Sequence, residues 1–546
     1  RTRADVRSRG MRIQFPTEAE IPEAFRLGAP IHQREYLVGG ELRRFEGPLN
    51  EVVSPIRLRN ADGSLSEKVL GSTPLLTAKE ALSALDAAVA AWDLGRGPWP
   101  TMGVAERIAT VERFLVAMRA RRTEVVRLLM WEIGKTLRDA EKEFDRTVDY
   151  IVETINALKE SDRHSTKFLQ EQGIMGQVRR VPLGVVLCMG PYNYPLNETF
   201  STLFPALLMG NPVVLKPAKF GVLLMQPLLE AFRAHFPPGV VNVIYGRGRE
   251  TVGALMESGK VDVLAFIGTN KGASDLKRLH PRPHRLKAVL GLDAKNIGVV
   301  MPDAELDEAV SESVTGALSF NGQRCTALKL LLVHRSVAEA FVTKFVAAVS
   351  KLKGGMPWDA GVSLTPLPEP GKPEYLTGLV ADAAKHGAKV VNDGGGEVNG
   401  THFCPAVVYP VTKATRLWHE EQFGPIVPIG VYDDVQEVID AVVESPFGQQ
   451  LSLFGRDPAQ LGHLIDACAH QVGRINLNSQ CQRGPDSFPF NGRKDSAEGT
   501  LSVADALRVF SIRTLVAAKS TEANKQVVRE ILTQRHSAFL NTDYIL

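Results

Sequence analysis

Short apolar runs at residues 185–189, 213–215, 240–244, 263–267 and 297–301 alternate with helical stretches such as 197–209 and 223–236. Strand, helix and strand in repeated succession predict a parallel sheet covered by helices. A ligand crevice in such a sheet belongs at the carboxyl ends of its strands. A second series follows residue 325, with strands at 330–333, 389–391, 426–432, 451–454 and 475–477 and helices at 338–352 and 435–445. Spread over 546 residues, the two series exceed what one hydrophobic core serves, so two α/β domains are predicted.

The flanks read differently. Residues 1–75 carry short apolar pieces broken by Pro and Gly, which predicts an N-terminal segment lying over the first domain. Helical periodicity starts near Thr77 and runs through 105–130 and 136–159. Residues 173–180 read as an extended polar arm, and 509–516 as a late strand of the kind that completes another subunit's sheet. A polar helix and tail end the chain, and the arginine-rich residues 1–10 read as a solvated tail.

Net charge is +3, the balance of 64 basic and 61 acidic residues, so nucleic acid and membrane surfaces are not expected partners. Five scattered cysteines, at 188, 325, 404, 468 and 481, show no metal-ligand spacing. Free thiols in a reducing, cytoplasmic compartment are expected, with no metal site. No apolar run is long enough to span a bilayer.

Several turns fall where the crevice is expected. Cys325 follows a Gly-containing turn and Arg324, a setting that favours a thiolate, although a small buried hydrophobe is the plainer alternative. Asn193, in Gly190-Pro191-Tyr192-Asn193-Tyr194-Pro195, can offer an amide N–H to an oxyanion or simply suit a turn. Lys216 and Lys219 follow a strand and can meet a phosphate or ribose, or carry ordinary loop charge. Gly246 and Gly248 form half of a dinucleotide fingerprint. Gly268-Thr269 is another turn through which backbone can approach a ligand. Glu421 precedes Phe423 by two residues, and a carboxylate there can hold ribose hydroxyls. Arg146 among acidic neighbours and Arg483 on a loop suit surface ion pairs as well as anion binding.

Together, Pro191-Tyr192-Asn193-Tyr194-Pro195, Val214-Leu215-Lys216-Pro217, Phe266-Ile267-Gly268-Thr269, Gly322-Gln323-Arg324-Cys325 and Glu421-Gln422-Phe423-Gly424-Pro425 resemble the aldehyde dehydrogenase superfamily in order and spacing. The resemblance implies a Rossmann-type parallel-sheet cofactor domain (76–172 and 183–296), an α/β catalytic domain (297–500) and a small β oligomerisation element (173–182 and 505–518), followed by a C-terminal extension (519–546). Within the superfamily the chain is most similar to the non-phosphorylating glyceraldehyde-3-phosphate dehydrogenases of glycolysis. Arginines and a tyrosine bind the substrate phosphate there, which implies that role for Arg146, Tyr194, Arg324 and Arg483. Lys219 stands where many NAD-using relatives carry glutamate, which implies NADP, with NAD possible as the alternative.

The implied chemistry is attack by Cys325 on a phosphorylated aldehyde, an oxyanion held by Asn193, and a thioester hydrolysed to the free acid in a homo-oligomer, a dimer or tetramer. One departure bears on the last step. The glutamate that activates water in the family falls at Gly291, and Asp293, two residues on, is the expected replacement. Without a base, the thioester would pass to coenzyme A, or the fold would serve as a catalytically impaired binding protein.

Overall fold

The computed structural model describes residues 11–543 and 545; the expected tail at 1–10 lies outside the described residues. The first alternating series builds an eight-stranded sheet. Its five central strands are parallel, in the order Lys287–Gly291, Val263–Ile267, Val186–Met189, Val213–Lys216 and Val241–Val243. The chain starts in the middle at Val186–Met189, works outward to Val241–Val243, then returns to the other side at Val263–Ile267. The reversal leaves a crevice at the carboxyl ends of those two neighbouring strands, the place where doubly wound sheets take ligands. Pro191–Asn193 and Gly268–Thr269 leave the strands there.

Three features of this sheet depart from the sequence expectation. The segment before residue 75 is part of the sheet: Glu35–Val38 and Glu41–Arg44 extend it antiparallel beyond Val241–Val243. Those strands are four residues each, too short for their alternation to register in the sequence. At the opposite edge Ala497–Glu498 pairs antiparallel with Lys287–Gly291, a strand whose Lys287 and Gly291 ends mask its apolar centre. The run at 297–301 belongs elsewhere, as Asn296–Val300 at the heart of the second sheet.

That second sheet has seven strands, in the order Lys389–Val390, Ala406–Tyr409, Ile426–Tyr432, Leu328–His334, Asn296–Val300, Gln450–Phe454 and Arg474–Leu477. Successive residues point to opposite faces. Ile297, Val299, Leu330 and Leu332 enter one buried cluster, while Val300, Leu331 and Val333 enter another. A third and larger cluster packs the first sheet against its helices.

Ser511–Lys519 pairs antiparallel with Ile174–Pro182, which also pairs with Phe168–Glu171. The strand expected from 505 or 509 starts at Ser511, because Ser502 caps a helix over Val503–Val509. A polar helix, Glu522–Thr533, precedes the tail. Gln177 Nε2 donates to the Asn541 carbonyl at 2.8 Å and binds that tail to the small sheet. No helix among the described residues is long and apolar enough to cross a membrane.

Candidate active site

The site is centred on Cys325, which a left-handed turn presents. Phe320, Asn321 and Gly322 have φ of 49°, 55° and 70°. The Asn321 side chain locks the turn, donating to Thr365 Oγ1 at 3.0 Å and accepting from the Thr365 N–H at 2.9 Å. Lys329 Nζ and Asn296 Nδ2 donate to the Cys325 carbonyl at 2.7 and 2.8 Å. Burial raises the thiol above its ordinary value, the charge of Glu198 adds to that, and Lys329 and Arg483 oppose it.

Two cavities meet at the thiol, of about 560 and 400 Å³, sizes typical of small-ligand sites. The first is lined by Arg146, Tyr194, Arg324 and Arg483, the four residues expected to bind phosphate. The second is lined by Asn193, Gly268, Thr269, Asp293, Glu421 and Phe423. Lys216, Lys219, Gly246 and Gly248 line a third, of about 440 Å³, beyond the end of Val213–Lys216. Among the described residues, only Cys325 and Glu198 line both of the cavities that meet.

Asn193 is 5 % exposed and its Nδ2 donates to the Gln323 carbonyl at 2.8 Å, which leaves the second N–H of that amide for another acceptor. Its own carbonyl accepts from Lys135 Nζ at 2.7 Å. Lys135 forms a fully buried ion pair with Glu143, whose Oε1 accepts from the Leu196 and Asn197 N–H groups at 3.0 and 3.1 Å. This network pins the turn at Pro191–Pro195 and the start of the helix Asn197–Leu208.

Two of the arginines are braced by carboxylates and the third by backbone. Arg146 Nη2 lies 2.8 Å from Asp486 rather than joining the acidic neighbours on its own helix. Arg483, 6 % exposed, pairs with Glu198 and approaches Asp486 at 3.6 Å. Arg324 donates to the Gly316 carbonyl at 2.7 Å.

On the cofactor side, Glu421 pairs with Lys329 at 2.8 Å. Asp293 Oδ2 accepts from the Asn270 N–H at 2.8 Å, at the start of the helix Asn270–Leu279. Burial, chiefly, pushes its carboxyl up to about 6, with Glu421 adding to the shift. Gly246 takes φ of 101°, and a side chain there would lie 2.5 Å from the Leu76 carbonyl, so glycine is required. Lys216 is 9 % exposed, and burial pulls its ammonium down to about 8. Arg247 lines the same cavity as the two lysines, so a phosphate there would meet three basic side chains.

A family model for the aldehyde dehydrogenases matches residues 58–516. The chain belongs to the aldehyde dehydrogenase family. Among its curated relatives is the NADP-dependent glyceraldehyde-3-phosphate dehydrogenase of Streptococcus equinus, 33 % identical over 462 residues, covering 83 % of this chain and 92 % of that one. Malonate-semialdehyde dehydrogenase of Bacillus cereus is 27 % identical over 464 residues, covering 83 % and 93 %. The crystal structure of NADP-dependent glyceraldehyde-3-phosphate dehydrogenase from Bacillus halodurans, complexed with NADP, superposes with a TM-score of 0.80 at 29 % identity, covering 90 % of this chain and all of that one. The family fold thus brings the expected residues together in three cavities. Sequence reasoning missed Glu198, Lys135, Glu143, Lys329 and Arg247. A glutamate in the fully buried helix Asn197–Leu208 is itself a signal, since buried charges are paired or functional.

Proposed function

We propose that this family member oxidises a phosphorylated aldehyde, glyceraldehyde 3-phosphate or a close analogue, to the free acid with NADP. One observation carries the substrate: Arg146, Tyr194, Arg324 and Arg483 come from four separate segments and line one of the two cavities that meet at Cys325. Guanidiniums form paired, charge-assisted hydrogen bonds with a phosphate dianion. The cofactor choice is supported by Lys216, Lys219 and Arg247 around one cavity, and by the NADP-dependent relatives.

Cys325 attacks the aldehyde carbon, and the Cys325 N–H with the second N–H of Asn193 holds the oxyanion. NADP, when bound, accepts the hydride. Glu421, with Phe423 beside it, orients the nicotinamide ribose, and Gly268 and Thr269 let backbone come close to the cofactor. The thioester left on Cys325 is opened by water with a carboxylate as base. The sheet of Ile174–Pro182 and Ser511–Lys519 joins subunits into a dimer or tetramer.

The test is an assay free of inorganic phosphate, offering glyceraldehyde 3-phosphate with NADP or NAD and identifying the acid. Sustained formation of 3-phosphoglycerate, faster with NADP, is the expected result. Turnover that starts only on addition of coenzyme A, favoured by the glycine at 291, would replace hydrolysis by acyl transfer. Absence of reaction with every phosphorylated aldehyde would overturn the reading.

A further inference from the structure

Hydrolysis of the thioester needs a base, and Gly291 offers none. Asp293 lines the cofactor-side cavity alone, with Oδ2 held by the Asn270 N–H and Glu421 as its acidic neighbour. Glu198 is placed differently. It sits in the first turn of the helix Asn197–Leu208, 7 % exposed, and shares with Cys325 the neck between the two cavities. The acyl carbon on Cys325 must occupy that neck, since its hydride leaves toward one cavity while the acyl chain lies in the other. Glu198 is also the charged side chain that acts most strongly on the Cys325 thiol. Arg483 grips Oε2, while Oε1 accepts no hydrogen bond from the described residues.

We propose that Glu198 is the catalytic base that activates water for thioester hydrolysis in this chain, with Arg483 as its positioning residue. The inference rests on the functional reading above. As the water oxygen bonds to the acyl carbon, one water proton passes to Glu198. Collapse of the adduct breaks the C–S bond, and Glu198 returns that proton to the leaving sulfur. The second water proton stays on the acid and is lost when it ionises. Glu198 thereby does from the helix side what the family's glutamate does from position 291. Space remains at that position too: the nearest neighbours of a Cβ on Gly291 would be atoms of the Ile267 side chain, at 3.4 Å or more.

Rapid mixing with glyceraldehyde 3-phosphate and NADP separates acylation from hydrolysis. For Glu198→Gln the expected result is a burst near one equivalent of reduced cofactor per subunit, then turnover slowed about 100-fold or more, the usual worth of a general base. Adding Gly291→Glu to Glu198→Gln should restore turnover at least about tenfold, which a purely structural role for Glu198 would not allow. Wild-type hydrolysis in Glu198→Gln overturns the inference, as does a lost burst that Gly291→Glu fails to restore. A wild-type burst without turnover defeats it while leaving the oxidation intact. No burst from wild type defeats the functional reading, and this inference with it.

Discussion

Gly322 is the residue on which the presentation of Cys325 turns. Its φ of 70° follows two non-glycine residues already in the left-handed region, and a Cβ there would lie 2.6 Å from the Gly424 carbonyl and 2.8 Å from that of Ala317. Asn321 is compensated by its paired hydrogen bonds to Thr365, whereas Gly322 needs the absence of a side chain. Gly322→Ala should cost about 2 kcal/mol of stability, within the range for strained backbone. The displaced thiol should also acylate more slowly; urea denaturation and burst rates check the two effects. At this scale the sequence was legible wherever a turn announced itself: Cys325, Asn193 and Gly268 all sit in Gly- or Pro-marked turns at strand ends. Glu198 was not, because it lies inside an apolar helix and only the fold sets it beside a thiol 127 positions away in sequence.

The helix Asn197–Leu208 depends on a residue from another helix. Glu143 spends one oxygen on its N-terminal N–H groups and the other on Lys135, all of it out of contact with water. Removing one partner of such a pair strands the other charge in a medium that cannot solvate it. Glu143→Gln should therefore destabilise the protein by about 3–5 kcal/mol, read from chemical denaturation. It should slow acylation too, because Lys135 also holds the Asn193 carbonyl. Lys135 and Glu143 were invisible as a pair, since they stand eight positions apart, the lysine before the helix Leu137–Ser165 and the glutamate within it, without the spacing of a helical ion pair. Most parallel strands were readable, being continuous apolar runs as doubly covered strands must be, but Lys287–Gly291 and Ala406–Tyr409 went unread. Glu35–Val38, Glu41–Arg44 and Ala497–Glu498 were not, because strands of two to four residues leave no period to detect.

The whole molecule carries an apolar surface that no described residue covers. Leu169 and Leu515, on one face of the sheet of Phe168–Glu171, Ile174–Pro182 and Ser511–Lys519, are 63 and 58 % exposed. Apolar side chains on an open sheet are what a second copy would cover. Leu515→Asp should shift the assembly toward smaller species in light scattering, with little change in the far-ultraviolet spectrum. The first sheet sets a further condition on the chain. One of its edges is supplied by Glu41–Arg44 and the other by Ala497–Glu498, so its two borders come from segments far apart in the chain. A fragment cut at 76 and 296, where a domain was expected, would show two raw borders able to recruit any passing strand. The first sheet is therefore not a portable module: everything from Glu41 to Glu498 must be made before it can be sealed.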